Sequence, residues 1–260
     1  MNAKQFDFGK NWLDYSVNSL SADKVERARL DFANLLAAVI GLQPEATFLD
    51  IGFGQGLSLC VASERFDRVV GCDINPKCKE AVEFTRTYFP DLKVDPDILI
   101  GSIVDEAFVS ELIQRNGGKY DVVHSWGVLH HTGHMRRAIA NAASLVAPGG
   151  TLIIAIYNKH WTSYIWRIIK RIYVDSPKFV QLLMVWSLYS LKRILQYRKN
   201  SDYRGMDFYH DIVDWVGGYP YEFASKDEII GIMRMHGFDI VTMIPTEGLT
   251  GCNEFVFQKV

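Results

Sequence analysis

The chain has 260 residues, 48% hydrophobic and 22% charged, the balance of a folded globular protein and not of a disordered or collagen-like one. That length accommodates one α/β domain with an elaboration, or one domain and a small second one. A net charge of -2 provides no overall basic field, so nucleic acid is not an expected partner.

The chain opens on Met1–Asp7 without the apolar run of a secretory signal, so a cytoplasmic location is expected. Phe8, Gly9 and Trp12 either fold over a bound ligand or staple the N-terminus to the core. From Ala22 to about Ile40, Val25, Ala28, Leu30, Phe32, Leu35, Leu36 and Val39 recur at helical spacing, with Ser21 as candidate N-cap. Residues 1–46 thus read as a helical entry segment.

Three short apolar runs follow, Thr47–Ile51, Arg68–Asp73 and Asp97–Gly101. Their β-branching and lack of strict alternation suit strands covered on both faces. Helical patterns over Leu57–Phe66 and Pro76–Tyr88 separate them, which makes a βαβαβ unit. A fourth strand reads at Tyr120–His124, a helix at Met135–Leu145, and a fifth strand at Gly150–Ile156 after the break Pro148-Gly149-Gly150. The alternation predicts a doubly wound, mostly parallel α/β sheet over 47–157.

Beyond Tyr157 the pattern changes. An aromatic-rich helical stretch runs from Trp161 to Tyr197, and a polar-aromatic segment from Arg204 to Phe223. Together, 158–224 read as a lid and acceptor-site wall. Residues 225–260 complete the sheet: Ser225 and Glu228 form a capping box for a helix to His236, and Phe238–Ile244 and Glu254–Gln258 read as an antiparallel hairpin on one edge. Cys60, Cys72, Cys78 and Cys252 have no paired spacing and read as reduced core thiols.

The chemistry concentrates at the turn Asp50-Ile51-Gly52-Phe53-Gly54-Gln55-Gly56, where a strand meets a helix and bare backbone can approach a polar ligand. A dinucleotide fingerprint, Gly-x-Gly-x-x-Gly, would need glycine at Leu57, which disfavours a nicotinamide-dependent oxidoreductase. Asp73 ends the next strand, placed to accept both hydrogen bonds of a ribose diol.

These motifs, with Tyr120-Asp121-Val122-Val123, Val128-Leu129-His130-His131 and Leu145-Val146-Ala147-Pro148-Gly149-Gly150 in that order, resemble class I methyltransferases of the ubiquinone-biosynthesis type. The resemblance implies a Rossmann-like fold and S-adenosylmethionine as cofactor, with S-adenosylhomocysteine as product. Gly52, Gly54 and Gly56 would pack against its methionine and ribose, Asp50 would orient its amino group, and Asp73 would hold the ribose hydroxyls. Ile74 would cover the adenine, with Ser102 and Ile103 beside it; Ser102 stands where the family often has an acid. Ser125 and Trp126 would lie near the sulfonium.

For an acceptor hydroxyl, a histidine general base fits, and His130 and His131 follow the fourth strand at the ligand-binding edge. Either could instead cap a helix or bond the backbone. Alternation points His124 away from them, and no cysteine or carboxylate completes a zinc set, so no metal is expected. Tyr157, Arg204, Asp207, His210, Tyr221 and Asn253 are the candidate acceptor-binding residues, and a small molecule is the expected partner. A protein that binds the cofactor without chemistry is the competing reading. The aromatic helices carry no stretch long enough to span a bilayer; they read as a lid or homodimer contact with solvated lysines and arginines, or as a peripheral lipophilic surface.

Overall fold

The computed structural model describes residues 5–37, 39, 45–196 and 208–260. A seven-stranded sheet organises them, in the order β3-β2-β1-β4-β5-β7-β6. Its strands are β1 (Thr47–Ile51), β2 (Arg68–Asp73), β3 (Asp97–Ile100), β4 (Tyr120–Trp126), β5 (Val146–Tyr157), β6 (Phe238–Ile244) and β7 (Cys252–Lys259). The first five pair in parallel; β7 runs antiparallel between β5 and β6, leaving β6 at the edge.

Both faces of the sheet are covered, which explains why its strands read as mostly apolar runs without strict alternation. On one face Phe48, Val69, Val122 and Ile153 pack against α2 (Ala22–Ala37), α3 (Leu57–Ser63) and α4 (Lys77–Arg86). On the other, Leu49, Val70, Val123 and Leu152 pack against α5 (Glu106–Asn116), α6 (Met135–Ser144) and α10 (Lys226–Met235). Adjacent residues on each strand serve opposite layers, as the pleat requires. Phe48 is fully buried, and truncation of such a side chain costs roughly 3–5 kcal/mol.

The remaining helices gather at one end. They are α1 (Phe8–Asn18), α7 (Trp161–Asp175), α8 (Lys178–Gln196) and α9 (Phe208–Gly217). Helix α9 contacts α1, α7 and α8. Among the described residues no helix is long and apolar enough to cross a membrane.

The structure departs from the sequence-based expectations at several elements. The helical stretch from Trp161 is two helices, broken at Ser176-Pro177. Ser176 is extended at φ −82, ψ 151, as a residue preceding proline prefers. The expected end of that stretch, Tyr197, lies outside the described residues, as does Ile40 of the entry helix. The polar-aromatic segment before Phe223, to which no helix is assigned from sequence, contains α9, and α1 and α5 are additional helices. Asp105 caps α5 by accepting from the Ala107 N–H, and Gly117 closes it in the left-handed region. The anticipated break at Pro148-Gly149-Gly150 is an irregularity within β5, where pairing with β4 shifts between Tyr120 and Val122. All four cysteines are free and buried, and the Ser225–Glu228 capping box is formed.

Candidate active site

Strands β1 and β4 are neighbours, yet the chain leaves β1 toward β2 and β3 before returning to β4. That reversal opens a crevice at the strands' carboxyl ends, where open α/β sheets bind ligands. A cavity of about 1320 Å³ occupies it.

The glycine turn forms its floor. Gly52 has φ 75, and a Cβ there would lie 2.4 Å from Val128 Cγ2; both the backbone conformation and the close approach exclude a side chain. Gly54 lines the cavity beneath the Trp12 indole. Gly56 does not line it. It precedes α3 at φ 80 and lies under Val82, whose Cγ2 would be 2.5 Å from a Cβ, so its glycine is required for close helix packing.

Asp73 ends β2 with its carboxylate fixed by backbone donors. Oδ1 accepts from Asn75 N at 2.8 Å and Oδ2 from Gly54 N at 3.2 Å. Burial raises the pKa of this carboxyl against the pull of those bonds. The second of them ties the acid directly to the glycine turn. Asp50 is buried on the wall with both oxygens engaged: Ser58 Oγ donates to Oδ2 at 2.5 Å, and His124 Nδ1 lies 2.7 Å from Oδ1. Although strand alternation is expected to point His124 away from the other histidines, it lines the same cavity as His131. Ile74, Ser102, Ile103 and Trp126 also line the cavity, whereas Ser125 is buried behind it and donates to the Ile51 carbonyl at 3.1 Å.

Helix α1 closes over this end. Asp7 caps it through Lys10 N and also binds Asn75 Nδ2 at 2.7 Å and Lys77 Nζ at 2.6 Å. Burial works against the Asp7 carboxylate, but Lys77, Asn75 and Lys10 hold its pKa below the usual value. Phe8 and Trp12 thus reach the cavity, with the Phe8 ring 4.8 Å from that of His131.

The two adjacent histidines occupy different environments. His131 lines the cavity, and its Nδ1 lies 2.7 Å from the Pro220 carbonyl. A carbonyl only accepts, so Nδ1 carries the proton and Nε2 is left with its lone pair. Burial, aided by Lys170, pushes its pKa down to about 3, so the ring is neutral. His130 is fully buried behind it, off the cavity wall, with its ring 4.0 Å from Tyr157. Burial, then His131 and Lys170, lower its pKa well below the usual histidine value. Of the pair, His131 alone faces the cavity.

Tyr157 lines the cavity beside Asp214 and Trp215 of α9. Of the other described candidates, His210, Tyr221 and Asn253 do not line it. His210 Nε2 bonds Asp14 Oδ2 at 2.8 Å and joins α9 to α1. Asn253 accepts from Thr246 N at 3.0 Å and donates to Asn158 Oδ1 at 3.1 Å, bracing the loop between β6 and β7. Tyr221 is buried among Tyr157, Trp215 and Phe223. Arg204 and Asp207 lie outside the described residues.

A buried lysine stands behind this wall. Lys170 has no exposed surface; its Nζ donates to the Trp215 carbonyl and lies 4.4, 4.8 and 5.7 Å from the rings of Trp215, Tyr221 and Tyr157. Burial pushes its pKa down to about 7, opposed by Asp214. Asp214 in turn is pushed up to about 7, by burial and by Asp211, against the pull of Lys170. The expectation that the lysines and arginines of this stretch are solvated fails at Lys170, because α7 turns that side inward and its isoleucines outward.

A family model described as a methyltransferase domain matches residues 22–242. The chain belongs to that methyltransferase family. This methyltransferase domain is 28% identical over 148 residues to a ubiquinone biosynthesis O-methyltransferase of Xanthomonas campestris pv. campestris, a match covering 57% of this chain and 56% of that protein. Its counterpart from Aromatoleum aromaticum is 23% identical over 168 residues, 65% and 66% of the two chains. The match to the first of these therefore spans little more than half its length.

Among solved structures, magnesium protoporphyrin IX methyltransferase from Synechocystis PCC 6803, with bound S-adenosylhomocysteine, superposes at TM-score 0.54 and 18% identity over 92% of this chain and 86% of that one. An N-methyltransferase from Bradyrhizobium japonicum WM9 gives 0.53 and 15%, over 89% and 86%. These likenesses establish the shared fold.

Proposed function

We propose that this methyltransferase domain transfers the methyl group of S-adenosylmethionine to an oxygen or nitrogen of a small molecule, releasing S-adenosylhomocysteine. The observation that carries this reading is the continuity of one cavity: its Gly52–Gly54–Asp73 end suits a nucleoside with an amino-acid tail, and its His131–Tyr157–Asp214–Trp215 end adjoins it. Its volume exceeds the usual range for a single small-molecule pocket, roughly 300–1,000 Å³.

When bound, the sulfonium supplies an activated methyl group for in-line displacement. The protein's part is to orient two molecules and exclude water. Asp73 would accept hydrogen bonds from the ribose hydroxyls, and its bond to Gly54 N holds the glycine turn in place for the rest of the ligand. Ile74, Ile103 and Ser102 would enclose the adenine, and Trp126 would stand on the sulfonium side. Helix α1, pinned by Asp7, shields the site with Phe8 and Trp12.

On the acceptor side, His131 presents Nε2 as a hydrogen-bond acceptor that orients a hydroxyl or amine. Its depressed pKa makes it a weak base. Asp214, raised to about 7, has a proton affinity better matched to neutral pH and receives the acceptor's proton. His130 supports His131 and Tyr157 from behind. Titrating the purified protein calorimetrically with S-adenosylmethionine, S-adenosylhomocysteine and NADH tests the reading. Binding of the first two and not the third supports it; binding of NADH alone overturns it in favour of an oxidoreductase.

A further inference from the structure

Ten of the nineteen large apolar side chains exposed among the described residues lie on α7 and α8. On α7 they form one stripe, Trp161, Ile165, Ile168 and Ile172, at intervals of four, three and four residues. The opposite side of the same helix buries Ser163, Lys170 and Tyr173. The helix is inverted relative to the usual amphipathic arrangement, with a lysine inward and isoleucines outward. Helix α8 repeats the pattern: Val185 is buried, while Phe179, Leu182, Leu183 and Trp186 are exposed. Ile168 is 62% exposed, Phe179 66% and Leu183 63%. Such concentration on two adjoining helices marks an interaction surface.

The charge on the helices selects its occupant. They carry six basic residues, Arg167, Lys170, Arg171, Lys178, Lys192 and Arg193, against the single acid Asp175, in a chain whose net charge is -2. Lys170 is buried and Lys192 lies 3.8 Å from Asp211 of α9, so the other four supply the surface charge. Arg167, Arg171, Lys178 and Arg193 are exposed. A second copy joined through the same face would set these like charges together. An anionic lipid surface would complement them, and long basic side chains can reach its headgroups while an apolar stripe enters the acyl boundary.

We propose that α7 and α8 dock this domain on the surface of an anionic phospholipid bilayer, lying in the interface without spanning it. Because α9, which supplies Asp214 and Trp215 to the cavity, packs on both helices, docking holds the acceptor end of the cavity beside the membrane. The proposal stands on exposure and charge and is independent of the reaction assigned to the cavity.

Co-sedimentation of the full chain with vesicles of phosphatidylcholine, and of phosphatidylcholine mixed with phosphatidylglycerol, tests it. Each basic side chain near an anionic surface contributes roughly a fivefold gain in partitioning, so binding to the mixed vesicles is expected to be at least about tenfold stronger and to weaken with added salt. Ile168→Glu with Leu183→Glu abolishes it, and Arg171→Glu with Lys178→Glu weakens it about tenfold or more with the apolar stripe intact. All four positions are exposed, and circular dichroism checks that the variants remain folded. No binding to either vesicle, equal binding to both, or undiminished binding by the variants overturns the proposal. So does a concentration-dependent dimer that Ile168→Glu with Leu183→Glu dissociates, in a chain that does not sediment with vesicles.

Discussion

Asp73→Ala removes the carboxylate that joins the glycine turn to the nucleoside end of the cavity. In the wild-type chain its oxygens already accept from Asn75 N at 2.8 Å and Gly54 N at 3.2 Å, so the group is held in one orientation before ligand arrives. A hydrogen bond to a charged acceptor contributes roughly 1.5–3 kcal/mol. Loss of two such bonds to a ribose diol therefore costs about 3–4 kcal/mol after partial replacement by water, or roughly 140- to 700-fold in Kd at about 1.4 kcal/mol per tenfold. Asp73→Asn keeps one acceptor and loses the charge, so about tenfold is expected. Calorimetry with S-adenosylhomocysteine measures both variants. The raised carboxyl pKa adds a pH test: wild-type affinity should fall as acidification protonates Asp73, and the Asn variant should lack that component. Wild-type affinity in a folded Asp73→Ala protein would refute the placement of the nucleoside.

Other positions give separate tests. Lys170 has a folded pKa of about 7, below its unfolded value near 10.4. The cost of burying its charge is present in full below pH 7 and is relieved as pH rises toward the unfolded value. Urea melts should show wild-type gaining on the order of a few kcal/mol relative to Lys170→Met between pH 7 and 10; a constant difference would contradict a buried, titrating amine. His131 should remain the neutral Nδ1–H tautomer from pH 5 to 8 in nitrogen NMR, and a midpoint near 6.5 would show that its ring is solvated. Gly52→Ala combines a strained φ with a clash against Val128, whereas Gly117→Ala, at φ 75 with nothing within 4 Å, has only the backbone cost of about 1–2 kcal/mol. Thermal melts should therefore rank Gly52→Ala as the more destabilising.

The central strands were legible because burial on both faces leaves mostly apolar runs without strict alternation, such as Thr47–Ile51 and Tyr120–Val123, each carrying one aspartate. The Gly52–Asp73 arrangement was legible because its spacing follows from a strand-turn-helix unit. Helix α5 went unread although its signals are present: Asp105 and Gly117 stand at its ends, and Phe108, Val109, Leu112 and Ile113 recur at helical spacing within eleven positions. The acceptor end was less accessible to sequence reading for a different reason. His130 and His131 are adjacent, and only the fold of Pro220 and Tyr157 around them decides which one meets the cavity. Lys170 was misplaced because lysines are almost never fully buried, whereas α7 turns Lys170 inward and Ile165, Ile168 and Ile172 outward. Asn253 and His210 are polar and buried, but each is consumed in bracing neighbouring elements.

The direct measurement of the proposed activity is to incubate the purified chain with S-adenosylmethionine labelled in its methyl group and small-molecule extracts, then quantify labelled product and S-adenosylhomocysteine together. The account predicts equal amounts of the two, with the label on an oxygen or nitrogen and its appearance abolished by Asp73→Ala at limiting donor. A chain that binds S-adenosylmethionine but forms neither product with any extract would contradict it and support a binding protein without chemistry.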